Sequence, residues 1–97
     1  MKGDMSAEQL ERCLGNARQQ APPGSLWRHH QGNLCWISTV SLDEVTQQAL
    51  VTYHGEGYCV VWTRTLESFL GKVFDPATRT TAQRYVRVLD KQETGSA

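Results

Sequence analysis

The chain has 97 residues, and ten Lys and Arg side chains balance ten Asp and Glu side chains, so the formal net charge at pH 7 is zero. This length predicts a single domain, 1–97, with a modest core, because a chain of this size buries only about 60–65% of its unfolded surface. The balanced charge argues against a dedicated nucleic-acid-binding protein, which needs a basic excess to contact phosphates. The hydrophobic content of 39% and the three tryptophans argue against a disordered chain.

The cysteines and the apolar segments bear on the cellular compartment. Cys13, Cys35 and Cys59 form neither a C-x-x-C pair nor a zinc-ribbon pattern, so we expect three reduced and mostly buried thiols. The first residues have no apolar signal-peptide region, and no apolar run approaches the roughly 20 residues that a membrane span needs. The sequence therefore predicts a cytoplasmic protein with no membrane contact and no cofactor.

An amphipathic helix is predicted for residues 6–21. Ser6 can cap its first turn, and Gln9 lies at the capping-box position. The apolar stripe at helical spacing consists of Leu10, Cys13, Leu14 and Ala17. Two prolines and a glycine at 22–24 end the helix, so the stripe must pack on the part of the chain that follows.

Five short strands are predicted after the helix, from runs of apolar and β-branched residues bounded by turn signals. They comprise residues 26–30, 34–40, 49–53, 58–62 and 84–89. The remaining elements are a single helical turn at 66–70, a short edge strand at 71–74, a turn at 75–78 and a polar loop at 79–83. In the last strand, Val86 and Val88 are expected to face inward.

The hairpin between the first two strands determines which side chains share a face of the sheet. If Gln31-Gly32 is a two-residue turn, Trp27 faces Trp36 across the hairpin and His29 faces Leu34. Arg28 and Cys35 then lie together on the opposite face.

The fourth predicted strand, Tyr58–Trp62, is apolar on both faces, unlike a half-exposed strand. We expect the sheet interior to cover one face and the N-terminal helix or a second subunit to cover the other. The pattern thus predicts a homodimer.

These elements predict a mainly β domain with one N-terminal helix, of the α+β class. The sheet is expected to be a small, curved antiparallel sheet or a partly open SH3-like barrel. The β domain would span residues 25–89, after the helix, and residues 90–97 would form a flexible tail.

Three segments of the chain share motifs, in the same order and spacing, with a known bacterial family. Residues 27–32 (Trp-Arg-His-His-Gln-Gly) are similar to its Tyr-Arg-His-Tyr-Lys-Gly opening, and residues 50–53 (Leu-Val-Thr-Tyr) to its Val-Val-Tyr strand. Residues 62–69 (Trp-Thr-Arg-Thr-Leu-Glu-Ser-Phe) are similar to its Trp-Val-Arg-Pro-Leu-x-x-Phe segment, and Arg84-Tyr85 to its closing Arg-Phe. The chain therefore resembles the small bacterial domain-of-unknown-function family number sixteen fifty-three.

The resemblance implies a compact β-rich domain, and it brings no reaction with it because that family has no assigned activity. Thr65 departs from the family pattern, since it stands where the family has proline. Trp27, His30 and Gln31 replace two tyrosines and a lysine. Short stand-alone chains of this kind also resemble products of mobile gene cassettes.

Arginines beside aromatic residues form the candidate ligand-binding site. Its members are Trp27, Arg28, His29, Trp36, Tyr53, Trp62 and Arg64. Arginine presents a rigid fork that matches carboxylate or phosphate, so two arginines from different strands could hold a small anionic molecule or a peptide. In the alternative interpretation, each arginine pairs with an acid such as Glu44, Glu56 or Glu67 and covers the tryptophans with its aliphatic part.

The sequence predicts a non-enzymatic binding or interaction module, with no catalytic residues and no metal ligands assigned. His29 and His30 are adjacent on a strand and point to opposite faces, so they cannot easily share one metal ion. A nucleic-acid-associated small barrel that stacks bases on aromatic side chains is the first alternative. A small enzyme of unknown class is the second, although no acid, base and nucleophile set emerges.

Overall fold

The N-terminal helix α1 (Ala7–Gln20) begins at a capping box in a computed structural model that describes residues 5–57 and 60–88. The Ser6 hydroxyl accepts a hydrogen bond from the Gln9 amide at 3.1 Å, and Gln9 Oε1 accepts one from the Ser6 amide at 2.8 Å. Such a cap stabilises a helix start by about 0.5–2 kcal/mol. The predicted helix is confirmed, and Ala17 of its apolar stripe is fully buried.

Within the described residues, seven strands form two antiparallel sheets. They are β1 (Leu26–His29), β2 (Leu34–Leu42), β3 (Ala49–Gly55), β4 (Val61–Thr65), β5 (Lys72–Asp75), β6 (Thr80–Gln83) and β7 (Tyr85–Val88), with a short helix α2 (Leu66–Leu70) between β4 and β5. The larger sheet has the order β4-β3-β2-β1-β7, and β5 pairs with β6 in the smaller one. In this part of the chain β4 and β7 are separate edges, so the larger sheet is open. The predicted mainly β, α+β class is confirmed, and the likeness to an SH3 barrel stays a prediction.

The β1–β2 hairpin has a longer turn than predicted, and this changes the register. The His29 amide donates to the Asn33 carbonyl at 2.7 Å, so three residues form the loop, and Gly32 adopts a φ of 105°. Trp27 therefore pairs with Cys35, whereas Leu26 pairs with Trp36. The prediction that Trp27 faces Trp36 is wrong by one residue, and a shift of one residue moves a side chain to the other face of a strand.

The core face of the larger sheet packs against the two helices. Its buried side chains are Trp27, Cys35, Ile37, Val40, Val51, Tyr53 and Tyr85. A register shift between Ile37 and Thr39 adds one residue to β2 opposite β3, which lets Ile37 and Val40 both point inward although they are three residues apart. The opposite face, called the outer face below, carries Leu26, Arg28, Trp36 and His54.

Phe69 of α2 lies at the centre of the core and is fully buried. Its ring stacks on Tyr85 at a centroid distance of 4.2 Å, and it meets the rings of Trp27 at 5.1 Å and Tyr53 at 5.3 Å. The single helical turn predicted at 66–70 is confirmed. One aromatic side chain from a five-residue helix thus connects strands β1, β3 and β7.

Strand β4 differs from its prediction in position and in burial. It spans Val61–Thr65 instead of Tyr58–Trp62, and Tyr58 and Cys59 lie outside the described residues. The exposed fraction is 50% for Val60, 55% for Val61 and 57% for Trp62. These apolar side chains are therefore not covered within the described part of the chain, contrary to the expectation that both faces of this segment are covered.

The C-terminal third contains a strand where a polar loop was predicted. β6 occupies most of that segment and pairs with β5, with Phe74 opposite Thr81. Threonine favours strands when a partner is available, and that partner is supplied by the turn after Asp75. The turn forms as predicted, since Asp75 Oδ1 accepts a hydrogen bond from the Ala77 amide at 3.0 Å.

In the last strand, the residues that face the core alternate with the ones that were predicted to do so. Tyr85 is 7% exposed, whereas Val86 is 47% exposed, because Tyr85 pairs with His29 on the core face. The predicted tail at 90–97 lies outside the described residues. Neither helix in the described part has the length and apolar character needed to span a bilayer.

Replacing Phe69 tests its role as the centre of the core. We expect Phe69→Ala to lower the free energy of unfolding by about 3–5 kcal/mol, because the substitution leaves a cavity between buried rings. Phe74→Ala is the matched control, since Phe74 is 63% exposed and its removal should change stability by about 0.5 kcal/mol or less. Urea unfolding followed by circular dichroism measures both, and equal losses would contradict the assignment.

Candidate functional site

A cavity of about 710 Å³ opens on the core face, between the β1–β2 and β3–β4 hairpin loops. Its lining residues come from β1 to β4, from β7 and from these two loops. The side chains that give it chemical character are His29, Tyr53, Glu56, Trp62, Arg64 and Tyr85. The volume falls within the range of about 300–1,000 Å³ that is typical of small-molecule sites.

Arg64 is the cation of this cavity. Its Nε donates to the Tyr53 hydroxyl at 3.5 Å, and its Nη1 donates to the Ser68 hydroxyl at 2.9 Å. Among the described residues, the hydrogen bonds of its side chain go to these two neutral oxygens. The guanidinium is therefore held in place by groups that do not neutralise its charge.

The local sequence explains how Arg64 is held. Thr65 ends strand β4 in an extended conformation and caps α2, since its hydroxyl accepts a hydrogen bond from the Ser68 amide at 3.1 Å. This cap places Ser68 one turn away from Arg64, where its hydroxyl can accept from the guanidinium. The Ser68 carbonyl also accepts a hydrogen bond from Arg84 Nε at 3.2 Å, which draws a second arginine to α2.

Two tyrosines line the cavity beside Arg64. The rings of Tyr53 and Tyr85 meet edge to face at a centroid distance of 5.6 Å. Burial raises the pKa of Tyr85, and a side-chain hydrogen bond with Tyr53 raises it further by a smaller amount. Tyr85 therefore stays a neutral phenol at physiological pH, and the lining offers hydroxyl groups without adding negative charge.

His29 contributes a neutral imidazole to the same lining. Its ring lies 5.0 Å from that of Tyr85 and 4.3 Å from that of His30. Burial lowers the pKa of His29, and the nearby charges of His30, Arg84 and Arg64 lower it further. Burial disfavours a charge of either sign, whereas the smaller contributions of His30, Arg84 and Arg64 disfavour a positive charge in particular.

Cys35 also lines the cavity, and its environment makes it a poor nucleophile. Burial raises the pKa of the Cys35 thiol to about 11. The thiol is therefore protonated at neutral pH, and thiolate chemistry is suppressed. Within the described residues, no group of three or more His, Cys, Asp or Glu side chains is arranged to hold a metal ion.

The structure brings together four of the seven residues predicted for the site, namely His29, Tyr53, Trp62 and Arg64. The other three lie elsewhere. Trp27 is buried in the core, where its indole nitrogen donates to the Ser25 hydroxyl at 2.8 Å. Trp36 and Arg28 are on the outer face, where the ring of Trp36 stacks on that of His54 at 6.0 Å.

Several residues of the site were not identified from the sequence. Ser68 and Tyr85 contact the predicted members directly, and Glu56 brings a carboxylate to the cavity lining. A readable signal for Ser68 was its position three residues after Thr65, because a capping threonine bonds the amide of that residue and brings it close to the preceding arginine. For Tyr85 the signal was the similarity of Arg84-Tyr85 to the closing Arg-Phe of the family that the sequence resembles.

Comparison with solved structures identifies a similar fold. The chain is similar to the crystal structure of a Bordetella bronchiseptica protein belonging to the domain-of-unknown-function family 1653, with a TM-score of 0.57 and 19% sequence identity. The match covers 71% of this chain and 90% of that chain. The chain resembles that family in fold. The resemblance predicted from the sequence motifs is thus confirmed at the level of the fold.

The sequence itself gives no further match. No family model matches the chain, and no curated protein matches it significantly. The structural likeness therefore carries the fold alone, and the function has to be argued from the cavity.

The environment of His29 predicts a pH-dependent stability. Because the pKa of His29 in the folded chain is below the ordinary value of 6.5, the unfolded chain takes up a proton first as the pH falls. The contribution of His29 to the free energy of unfolding therefore has its full value above pH 6.5. It decreases as the pH falls through 6.5 towards the pKa of His29 in the folded chain. Urea unfolding across this range measures the effect.

The matched variants for this test are His29→Asn and His54→Asn. We expect His29→Asn to flatten the pH dependence in this range, whereas His54→Asn, on the outer face, should retain it. A pH dependence that is unchanged in His29→Asn would contradict the interpretation.

Proposed function

We propose that this chain is a non-enzymatic binding or interaction module that holds a small anionic group in the cavity next to Arg64. The anion is either a free carboxylate or phosphate, or the carboxylate of a peptide segment. The observation that carries this proposal is a guanidinium fixed by two neutral hydroxyls, from Tyr53 and Ser68, within a cavity of ligand size.

The geometry favours an anion for a physical reason. A hydrogen bond to a charged group contributes about 1.5–3 kcal/mol, more than one between neutral groups. Arg64 is already ordered by its contacts with Tyr53 and Ser68, so an incoming oxygen anion does not have to restrict a free side chain. The guanidinium is partly buried, which weakens the screening of its charge by water.

The surroundings of His29 and Glu56 determine where in the cavity a negative charge is favoured. Burial lowers the pKa of His29 most, and an anion near Arg64 would offset the additional effect of its positive neighbours. Glu56 is an exposed acid on the same lining, and it repels a second negative charge. The cavity is therefore suited to a ligand with one anionic end that points towards Arg64.

Trp62 supports a ligand with an apolar or aromatic part. Its indole lines the cavity and is more than half exposed, and it pairs with Tyr53 across β3 and β4. A planar ring can stack on an exposed indole while an attached carboxylate reaches the neighbouring arginine. An aromatic or apolar acid thus fits both features of the lining.

The proposed module is also a homodimer in the cytoplasm. The exposed Val60, Val61 and Trp62 along the sheet edge support dimerisation, because apolar side chains next to one another favour contact with a second surface. Among the described residues, Cys13 and Cys35 form no disulfide, which supports a reducing compartment.

Replacing Arg64 tests the anion site. Benzoate and phenyl phosphate serve as anionic ligands and benzamide as their neutral counterpart, with binding followed by amide chemical shifts. We expect Arg64→Gln to weaken binding of both anions by about tenfold to a hundredfold, which corresponds to the loss of a charge-assisted hydrogen bond. Arg28→Gln on the outer face is the matched control and should leave binding unchanged. Equal binding by Arg64→Gln and the unaltered chain would refute the proposed site.

Replacing Glu56 tests the same electrostatics in the opposite direction. We expect Glu56→Gln to strengthen benzoate binding by about twofold to fivefold, because an exposed like charge contributes about 0.2–1 kcal/mol of repulsion. Glu44→Gln removes an acid from the polar β2–β3 loop instead and should have no effect. The gain should vanish at high salt, and an unchanged affinity in Glu56→Gln would show that the anion does not sense this carboxylate.

A further inference from the structure

In the described part of the chain, strand β4 is an edge of the larger sheet, and Arg64 is its one charged side chain. Its sequence, Val-Trp-Thr-Arg-Thr, contains neither proline nor lysine, and its register with β3 is regular along all five residues. Proteins commonly block such edges with prolines, lysines or bulges. The exposed Val61 and Trp62 make this edge apolar as well as open.

The same five residues are complementary to themselves in the antiparallel direction. If the strand is paired with a copy of itself about a twofold axis at Thr63, Trp62 lies opposite Arg64 of the second copy, and Val61 lies opposite its Thr65. Trp62 and Arg64 share the core face, because they pair with Tyr53 and Val51 of β3. Each indole would therefore meet a guanidinium across the new strand pair, which is a favourable cation–π arrangement.

We propose that two copies of this chain associate through β4 in this register and join their five-stranded sheets into one continuous sheet. The inference deepens the proposed homodimer and rests on it, because it names the strand and the residue on the axis. The interface is isologous, so each favourable contact occurs twice. Since Trp62 and Arg64 also line the cavity, each copy would bring these two side chains to the rim of the other cavity.

A second copy fits this edge better than it fits the opposite edge of the sheet. In β7, Arg87 and Tyr85 are two residues apart on the core face, but the Tyr85 ring is buried and stacked on Phe69. It is therefore not available to a guanidinium from another chain. In β4 the indole is exposed, and Thr63 at the axis is an exposed, uncharged side chain.

A cysteine on the axis tests the register directly. Directly opposed Cα atoms in antiparallel strands are about 4.5–5.5 Å apart, which lies within the range that a disulfide can bridge. We expect Thr63→Cys to form a disulfide-linked dimer rapidly when oxidised glutathione is added. Thr81→Cys, an exposed position on β6, is the matched control, and the unaltered chain gives the background from the native cysteines.

A lysine on the axis tests the same contact in solution. Thr63→Lys would place two ammonium groups opposite each other, and like charges directly opposed across strands are destabilising. We expect sedimentation equilibrium to show that the dissociation constant of the dimer rises by about tenfold or more in Thr63→Lys. The constant should be unchanged in Thr81→Lys. Circular dichroism confirms that both variants are folded.

The outcomes separate this inference from the proposed function. A dimer that persists in Thr63→Lys, without rapid cross-linking of Thr63→Cys, would overturn pairing through β4 while retaining the homodimer. An unaltered chain that is monomeric at millimolar concentration would overturn both, and would leave the β4 edge open to a strand from a different protein. Arg64 belongs both to the anion site and to this contact, so benzoate binding is also measured in Thr63→Lys, which keeps Arg64. Binding that persists in Thr63→Lys retains the anion site even when the dimer is lost, and binding lost only in Arg64→Gln assigns the anion to the guanidinium.

Discussion

The chain reversal at Thr65 is the constraint on which the rest of the structure depends. By capping α2, Thr65 ends the edge strand β4 and turns the chain beneath the core face. Phe69 then enters the centre of the core, where it contacts rings from three strands. The same turn brings Ser68 to Arg64, so a single local cap determines both the packing of the core and the position of the cation.

The electrostatics of the cavity depend on the neutral groups that surround Arg64. Neutral hydroxyls hold Arg64, a phenol with a raised pKa lies beside it, and an imidazole with a lowered pKa completes the wall. Burial is the main cause of both shifts and keeps Tyr85 and His29 neutral, so the positive charge of the wall is that of Arg64. Such an arrangement fits recognition of an anion, whereas the protonated Cys35 does not provide a nucleophile.

Strand β4 combines two roles that are usually separate in a small domain. Its core-facing residues, Trp62 and Arg64, line the cavity, and its outer edge is unpaired in the described part of the chain. A domain of this size buries a modest core, so an apolar edge that finds a second copy gains buried surface that the single chain cannot supply. Ligand binding and association would then depend on the same five residues.

The sequence by itself determined the elements that are specified by neighbouring residues. The capping box of α1, the short helix after Thr65 and the turn at Asp75 all follow from contacts within four residues, and the motifs indicated the family fold. Only the tertiary structure decided the hairpin register, the bulge in β2 and the pairing of β6, because each depends on a partner strand or on a loop length that composition does not specify. The register in turn separated Arg28 from Arg64, since one residue of shift exchanges the faces of a strand.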